Sequence, residues 1–167
     1  AVSFAEENLH QQARNLMSGI GAKTILLVIE GEFPRQSAFS YACKLCERTN
    51  AQMDILQIIS PPYGPESYQI LAQRMSTAVT NLVHLLQKDD RLSAMPKLTI
   101  RLGEIDSKLL NYVKRHKEVS VVVLDSTKDM TKRPDLNKQS DFFKSLSRKL
   151  AVPLMTVLDR VSVEAIG

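Results

Sequence analysis

Residues 23–29 read KTILLVI, and the five consecutive apolar residues that end this run decide the fold class. An uninterrupted apolar run of this length is typical of a strand covered on both faces, as in a parallel sheet between two layers of helices. The run stops at Glu30 and Gly31. A second run, Val119 to Leu124 (VSVVVL), is the most strand-like segment of the chain. Both segments therefore predict buried strands.

Helical and strand-like segments alternate outward from these two runs. The sequence predicts further strands at 53–59, 98–102 and 152–158. It predicts helices from Pro34 to Thr49, from Ser67 to Lys88 and from Phe142 to Leu150, and one more helix that follows Asp106 as its N-cap. Strands that alternate with helices form an open parallel sheet through right-handed crossovers, with helices on both faces. The prediction is therefore an α/β domain with five strands and four helices.

The first 22 residues lie outside this pattern. Their apolar side chains recur at spacings of four, three and four, which predicts an extra N-terminal helix with a narrow seam of Leu9, Ala13, Leu16 and Ile20. Such a helix could pack on the domain, pair in a dimer, or end a linker from a larger chain, and all three interpretations stay open. We divide the chain into a helical extension (1–22), a domain (23–160) and a tail (161–167).

Composition narrows the function classes. At 167 residues and 44% hydrophobic content, the chain can bury the core of one domain. No apolar run approaches the roughly 20 residues that a bilayer requires, and residues 1–12 do not resemble a signal peptide, so we expect a cytoplasmic protein without a membrane span. The net charge of +4 arises in residues 128–149. Because acidic residues interleave there with the basic ones, we expect a solvated surface and no nucleic-acid partner.

Cys43 and Cys46 form a lone C-x-x-C motif. A redox motif of this spacing begins a helix, whereas these cysteines lie past the first turn of the predicted helix, on the side of Phe39 and Ala42. We therefore expect two buried thiols. The three histidines, His10, His84 and His116, are scattered, so we expect no metal site, no cofactor and no nucleophile with its base. The chain is accordingly predicted not to be an enzyme.

Four segments, taken in order, resemble a universal stress protein domain. They are KTILLVIEG (23–31), NAQMDI (50–55), LGEID (102–106) and RKLAVPLMTV (148–157), which look like the first strand, the second strand, the turn after the third strand and the close of such a domain. The resemblance covers about residues 23–160. It implies the adenine nucleotide alpha hydrolase-like fold, with an open five-stranded parallel sheet of order 3-2-1-4-5, and a role in stress response.

The chain departs from the ATP-binding members of that family. Those members carry Gly-x2-Gly-x9-Gly-(Ser/Thr) after the fourth strand, where glycine allows backbone N–H groups to approach the phosphates closely. Between Gly103 and Gly167 this chain has no glycine. When the motif is aligned backward from Arg148, its three glycine positions fall on Thr127, Met130 and Ser140, and Asp141 takes the place of Ser/Thr. When it is aligned forward from Val119, the first two glycine positions fall on Asp125 and Lys128. The resemblance therefore implies the group that does not bind ATP.

Two functions of different class follow from these observations. The first is a dimeric regulatory or interaction module with an unknown protein partner. The alternative is a domain that binds a small molecule, nucleotide or other anion in the strand-end cleft, for example as the cytosolic regulatory domain of a transporter. Its candidate ligand residues are Glu30, Asp125, Lys128, Lys132 and Arg133.

The last strand is an edge of the sheet in the order 3-2-1-4-5. An edge strand with apolar side chains readily pairs with another strand, and Pro153 protects only the start of this one. We therefore expect a homodimer whose interface includes Leu154, Met155 and Val157.

Overall fold

The computed structural model describes residues 23–61, 67–88, 92, 94–126 and 144–157. In these residues, five strands form one parallel sheet of order β3-β2-β1-β4-β5. The strands are β1 Thr24–Glu30, β2 Gln52–Ile59, β3 Lys97–Leu102, β4 Val119–Ser126 and β5 Leu154–Thr156. The helices are α1 Gln36–Thr49, α2 Ser67–Lys88 and α3 Ile105–Arg115, and residues 144–149 are also helical. The predicted fold class and strand order are confirmed.

The central strand β1 divides the core into two layers. All its residues except Glu30 are buried, as its uninterrupted apolar run predicts. Because successive side chains alternate between faces, Ile25, Leu27 and Ile29 pack with α1 and α2, while the side chains between them pack with α3 and residues 144–149. We call these the α1/α2 face and the α3 face. Each fully buried aliphatic side chain contributes about 1.5–3 kcal/mol.

Two helix starts differ from the prediction by two residues. Pro34 was expected in the first turn of α1, but the N-cap is Arg35, whose backbone is extended. Asp106 was expected as the N-cap of α3, but Glu104 occupies that position and Asp106 lies in the first turn. Gly103, at φ 137°, turns the chain directly after β3, so α3 begins earlier than its apolar pattern suggests.

The remaining predicted elements agree in kind and differ in extent. α2 buries one stripe of side chains, with Ala78, Leu82 and Leu85 fully buried and Leu71 and Met75 half-buried. β5 has three residues where seven were predicted. No helix in the described ranges combines the length and apolar content needed to cross a bilayer. The N-terminal seam, Phe142, Phe143 and the C-terminal tail lie outside the described residues.

The prediction that the two cysteines are buried is confirmed. Both side chains lie on the inner side of α1, in the core of the α1/α2 face, as free thiols. Burial, followed by the neighbouring Cys43, raises the pKa of Cys46 to about 12. Since the thiolate is the reactive form, this environment makes Cys46 a poor nucleophile at neutral pH.

We expect neither thiol to react with an aromatic disulfide reagent in the native protein at pH 8. At a pKa of about 12, the thiolate fraction of Cys46 is on the order of one in ten thousand, and the core excludes the reagent. Absorbance should therefore show no thiol released in minutes, and both thiols after unfolding in guanidinium, which serves as the control. Rapid labelling of either cysteine in the folded protein would contradict this burial.

Candidate functional site

The strand order reverses between β1 and β4. Open α/β sheets bind their ligands in the crevice outside the carboxyl ends of the strands at such a switch point. Here the two strands end in register, with Ile29 beside Asp125 and Glu30 beside Ser126. The connection from β1 into α1 leaves the sheet at the same place. The carboxyl ends of β1 and β4, with this connection, are therefore the candidate site.

Arg35 and Asp125 form a buried ion pair at this point. The backbone N–H of Arg35 donates to Oδ2 of Asp125 at 2.8 Å, and its Nε donates to Oδ1 at 2.7 Å. The Asp125 side chain is 1% exposed and that of Arg35 is 29% exposed. A further bond of 3.2 Å joins Nη2 of Arg35 to the carbonyl of Val157. Arg35 thus links the start of α1 to the end of β4 and to the residue after β5.

The position of Arg35 explains why it can bind a carboxylate twice. As the N-cap of α1, it is extended at φ −89° and ψ 136°, so its N–H points away from the helix. The first N–H groups of a helix have no intrahelical partner, and the helix dipole favours negative charge there. The guanidinium adds a full positive charge at the same place. The anion at this helix N-terminus is thus supplied by the chain itself, as the carboxylate of Asp125.

The environment of Asp125 combines opposed influences. Burial raises its pKa above the ordinary value for an aspartate, and the backbone bond, the side-chain bond and the charge of Arg35 offset only part of this rise. Both carboxyl oxygens accept bonds from N–H donors, which is the pattern of an ionised carboxylate, since a protonated carboxyl would use one oxygen as a donor. The pair is therefore a charged one, and the carboxylate depends on Arg35 to remain ionised.

The connection after β1 is held at several points. Gly31 adopts a positive φ of 101°, a conformation that glycine accepts without strain. The fully buried Gln57 donates to the carbonyl of Gly31 at 2.8 Å, and Asn81 donates to the carbonyl of Glu32 at 3.1 Å. Arg74 of α2 forms an ion pair with the Glu32 carboxylate. Side chains from β2 and α2 thus fix the loop that leads to Arg35.

The structure brings together part of the predicted ligand set. Glu30 and Asp125 end neighbouring strands at the same edge, Glu30 half-buried and Asp125 engaged by Arg35. The three basic candidates, Lys128, Lys132 and Arg133, lie outside the described residues. The cation that does bind Asp125 was missed from the sequence. An Asp that ends a fully apolar strand requires a cationic partner if it is buried, and this was the available signal.

Two of the three predicted interface side chains are buried within the protomer. Met155 and Val157 belong to the core of the α1/α2 face, and the hydroxyl of Tyr41 contacts Sδ of Met155 at 3.2 Å. Leu154 is half-buried against the α3 face. A dimer through this edge stays a prediction, and it would have to use the backbone of β5 instead of the Met155 and Val157 side chains.

A cavity of about 460 Å³ lies at the opposite, amino edge of the sheet. Its charged lining consists of Glu47, Asp54, Glu118 and Lys97. The hydroxyl of Tyr112 donates to the Asp54 carboxylate at 3.3 Å, and burial raises the pKa of both groups. Open α/β sheets place their ligands at the other edge. The excess of carboxylates also makes this cavity unsuited to an anion.

The fold is found in solved structures of universal stress proteins. The chain is similar to the universal stress protein UspA from Lactobacillus plantarum, with 16% identity, coverage of 83% of this chain and 100% of that chain, and a TM-score of 0.65. A protein from the universal stress protein family of Burkholderia pseudomallei has 13% identity, coverage of 81% of this chain and 95% of that chain, and a TM-score of 0.57. A universal stress protein in complex with cAMP has 14% identity, coverage of 81% of this chain and 96% of that chain, and a TM-score of 0.50.

No family model matches the sequence, and no curated protein matches it. At identities of 13–16%, the similarity to the solved structures shows the fold alone. The chain therefore has a universal stress protein-like fold, which agrees with the resemblance of its sequence segments.

Proposed function

We propose that this protein is a cytoplasmic regulatory module that works as a homodimer through protein contacts, is not an enzyme, and does not bind ATP. The observation that carries the proposal is the Arg35–Asp125 ion pair at the switch point. This pair fills the place where an open α/β sheet would receive an anionic ligand. The fold of the similar universal stress proteins supports a role in stress response.

Binding a phosphate at this point would require Arg35 to leave Asp125. A carboxylate left buried without its cation costs about 3–5 kcal/mol, which corresponds to two to four orders of magnitude in affinity. If the pair stayed intact, the phosphate would face a carboxylate of the same sign. Either arrangement weakens nucleotide binding at the switch point.

The sequence after β4 supports the same proposal. In one alignment Asp125 itself takes the position of the first glycine in the ATP-binding motif, and no glycine follows before Gly167. A phosphate loop depends on backbone N–H groups that approach the ligand closely, which glycine permits. The chain thus combines an internal anion with the loss of the residues that would bind an external one.

We expect calorimetry with Mg-ATP or with cAMP to show no saturable heat at millimolar nucleotide. cAMP is included because one of the similar universal stress proteins was solved with it. The matched control is Asp125→Asn, which removes the negative charge and keeps the side-chain size. A micromolar dissociation constant for either nucleotide with the unaltered protein would contradict the proposal.

The alternative is a domain that binds another anion or a nucleotide in the same crevice, with Lys128, Lys132 and Arg133 as point charges. In this alternative the chain could serve as the cytosolic regulatory domain of a larger protein such as a transporter. Native mass spectrometry of the protein purified without added ligand separates the two functions. A stoichiometric co-purifying small molecule would favour the alternative, and an unliganded mass would favour the interaction module.

A further inference from the structure

The exposed apolar side chains are concentrated on α2 and around β3, although Ile70 shares the flank of α2 that carries Arg74 and Asn81. Of the large hydrophobic residues exposed in the described ranges, Tyr68 and Met95 are 86% and 81% exposed, and the others include Ile70, Val79, Val83, Leu98 and Leu102. They belong to α2, to β3 and to the segment before β3, and Phe33 lies against α2. The β5 edge has none among its described residues. An exposed apolar surface of this kind marks an interaction site.

β3 is better suited to strand pairing than β5. It is an edge strand of six residues, against three in β5, and it pairs only with β2 among the described strands. Its Leu98, Ile100 and Leu102 alternate with polar residues and share a face with Ile55, because Leu98 is in register with that residue. Ile55 belongs to the core of the α1/α2 face. The apolar side chains of β3 thus lie on the same face of the sheet as α2.

One flank of α2 has no charged residue. Arg74 and Asn81 both contact Glu32, so their flank faces the loop after β1. At 100° per residue, Val79 and Val83 lie on the opposite flank, toward the β3 edge. The apolar residues of that flank recur at spacings of four, three, four, four and three: Tyr68, Ala72, Met75, Val79, Val83 and Leu86. This spacing is typical of a helix that packs against a second helix.

We propose that a second copy of this chain covers this surface, with β3 pairing antiparallel to the partner's β3 and the uncharged flank of α2 packing against the partner's α2. The inference rests on the proposed function, whose interaction partner it identifies. A two-fold axis perpendicular to the sheet joins the two sheets into one of ten strands. Such an isologous contact satisfies the free backbone groups of both edge strands.

The charges of β3 select the register of this pairing. An axis through Ile100 places Leu98 opposite the partner's Leu102, Ile100 opposite its own copy, and Thr99 opposite the partner's Arg101. An axis through Thr99 would instead place Lys97 opposite the partner's Arg101 twice. Opposed like charges destabilise a strand pair, whereas opposed apolar residues stabilise it. The register centred on Ile100 is therefore the favoured one.

The same axis brings the two copies of α2 together. The two-fold axis places both copies of α2 antiparallel on the same face of the joined sheet, and the proposal requires their uncharged flanks to come within packing distance. Packed helices are typically 8–10 Å apart. Val79 and Val83 then face the partner's α2, which accounts for apolar side chains that the protomer leaves in solvent.

The test is a pair of double variants that differ in one charge. Leu98→Lys with Leu102→Lys places Lys opposite Lys twice across the axis, and Leu98→Lys with Leu102→Glu places Lys opposite Glu twice. Light scattering at tens of micromolar should give twice 18.7 kDa for the unaltered protein and for the Lys/Glu variant, and 18.7 kDa for the Lys/Lys variant. Val79→Lys with Val83→Lys should also give the monomer mass.

All four substituted side chains are exposed in the protomer, so circular dichroism should show that each variant is still folded. Thr156→Lys on β5 is the control at the other edge and should leave the dimer mass unchanged. A dimeric Lys/Lys variant, or a monomer produced by Thr156→Lys, would overturn the β3 interface and leave the interaction module standing. A monomeric unaltered protein would overturn both the interface and the dimer, while the ATP calorimetry would still decide the switch point.

Discussion

Replacing Arg35 with Met is expected to lower the free energy of unfolding by about 3–5 kcal/mol. The substitution removes the cation from a carboxylate that is 1% exposed and leaves only the backbone N–H of residue 35 as its donor. Chemical denaturation followed by circular dichroism measures the difference, and a loss below about 1 kcal/mol, the usual value of a surface pair, would show that the pair is not buried in solution.

The stability that Arg35→Met loses relative to the unaltered protein should become smaller in acid. Burial raises the pKa of Asp125, and the substitution removes the side-chain bond and the charge of Arg35, which lower that pKa, while the backbone bond stays. When the folded-state pKa of a carboxyl lies above its unfolded value, the folded state binds the extra proton, so stability falls as pH rises between the two values. The deficit of Arg35→Met relative to the unaltered protein should therefore shrink as pH decreases from 7 toward 4.

The double variant Arg35→Met with Asp125→Leu serves as the control. It removes both charges, and replacing a buried pair with apolar residues is often nearly neutral. We expect it to recover most of the stability lost in Arg35→Met, and its stability should not show the acid recovery of the single variant. A double variant as unstable as the single one would assign the loss to packing instead of to the unpaired carboxylate.

Replacing Met155 with Lys is expected to unfold the protein, not merely to separate a dimer. The side chain is 4% exposed and lies in the core of the α1/α2 face beside Tyr41. Burying an ammonium without a partner costs several kcal/mol, a large share of the 5–15 kcal/mol that stabilises a domain. The far-UV circular dichroism should lose its cooperative thermal transition.

The adjacent residue provides the matched control. Thr156→Lys introduces the same charge on the same strand at a half-buried position, and it should change the free energy of unfolding by less than about 1 kcal/mol. If Met155→Lys remained folded and became monomeric, its side chain would lie at a subunit interface, as the sequence had suggested. That result would also contradict the β3 interface.

The apolar runs of this sequence predict its fold well because their periods report burial directly. KTILLVI and VSVVVL became the two central strands, β1 and β4, and α1 ends at the predicted Thr49, with Asn50 in the left-handed conformation directly after it. The pattern did not predict which side chains of β5 face the core. Nearly every residue from Val152 to Leu158 is apolar, so the pattern cannot tell which side chains face the core.

The candidate site was less predictable, because it joins residues that are 90 positions apart. Asp125 was predicted as one candidate ligand residue of the strand-end cleft, and the missing glycines were visible in the sequence. Neither observation identifies Arg35, whose role depends on an N-cap two residues later in the chain than a helix with Pro34 at its first position would have. The partner of a buried charge is set by tertiary packing, which local propensities do not encode.

The carboxylate of Asp125 acts as a permanently tethered ligand for the start of α1. A group held in the same chain is present at an effective concentration that is set by the chain and not by the metabolite pool. A protein built in this way would keep one conformation whether cellular adenylates are abundant or depleted. Its regulatory activity would then depend on how much of the protein is synthesised and on which partners are present. It would not respond directly to the energy charge of the cell.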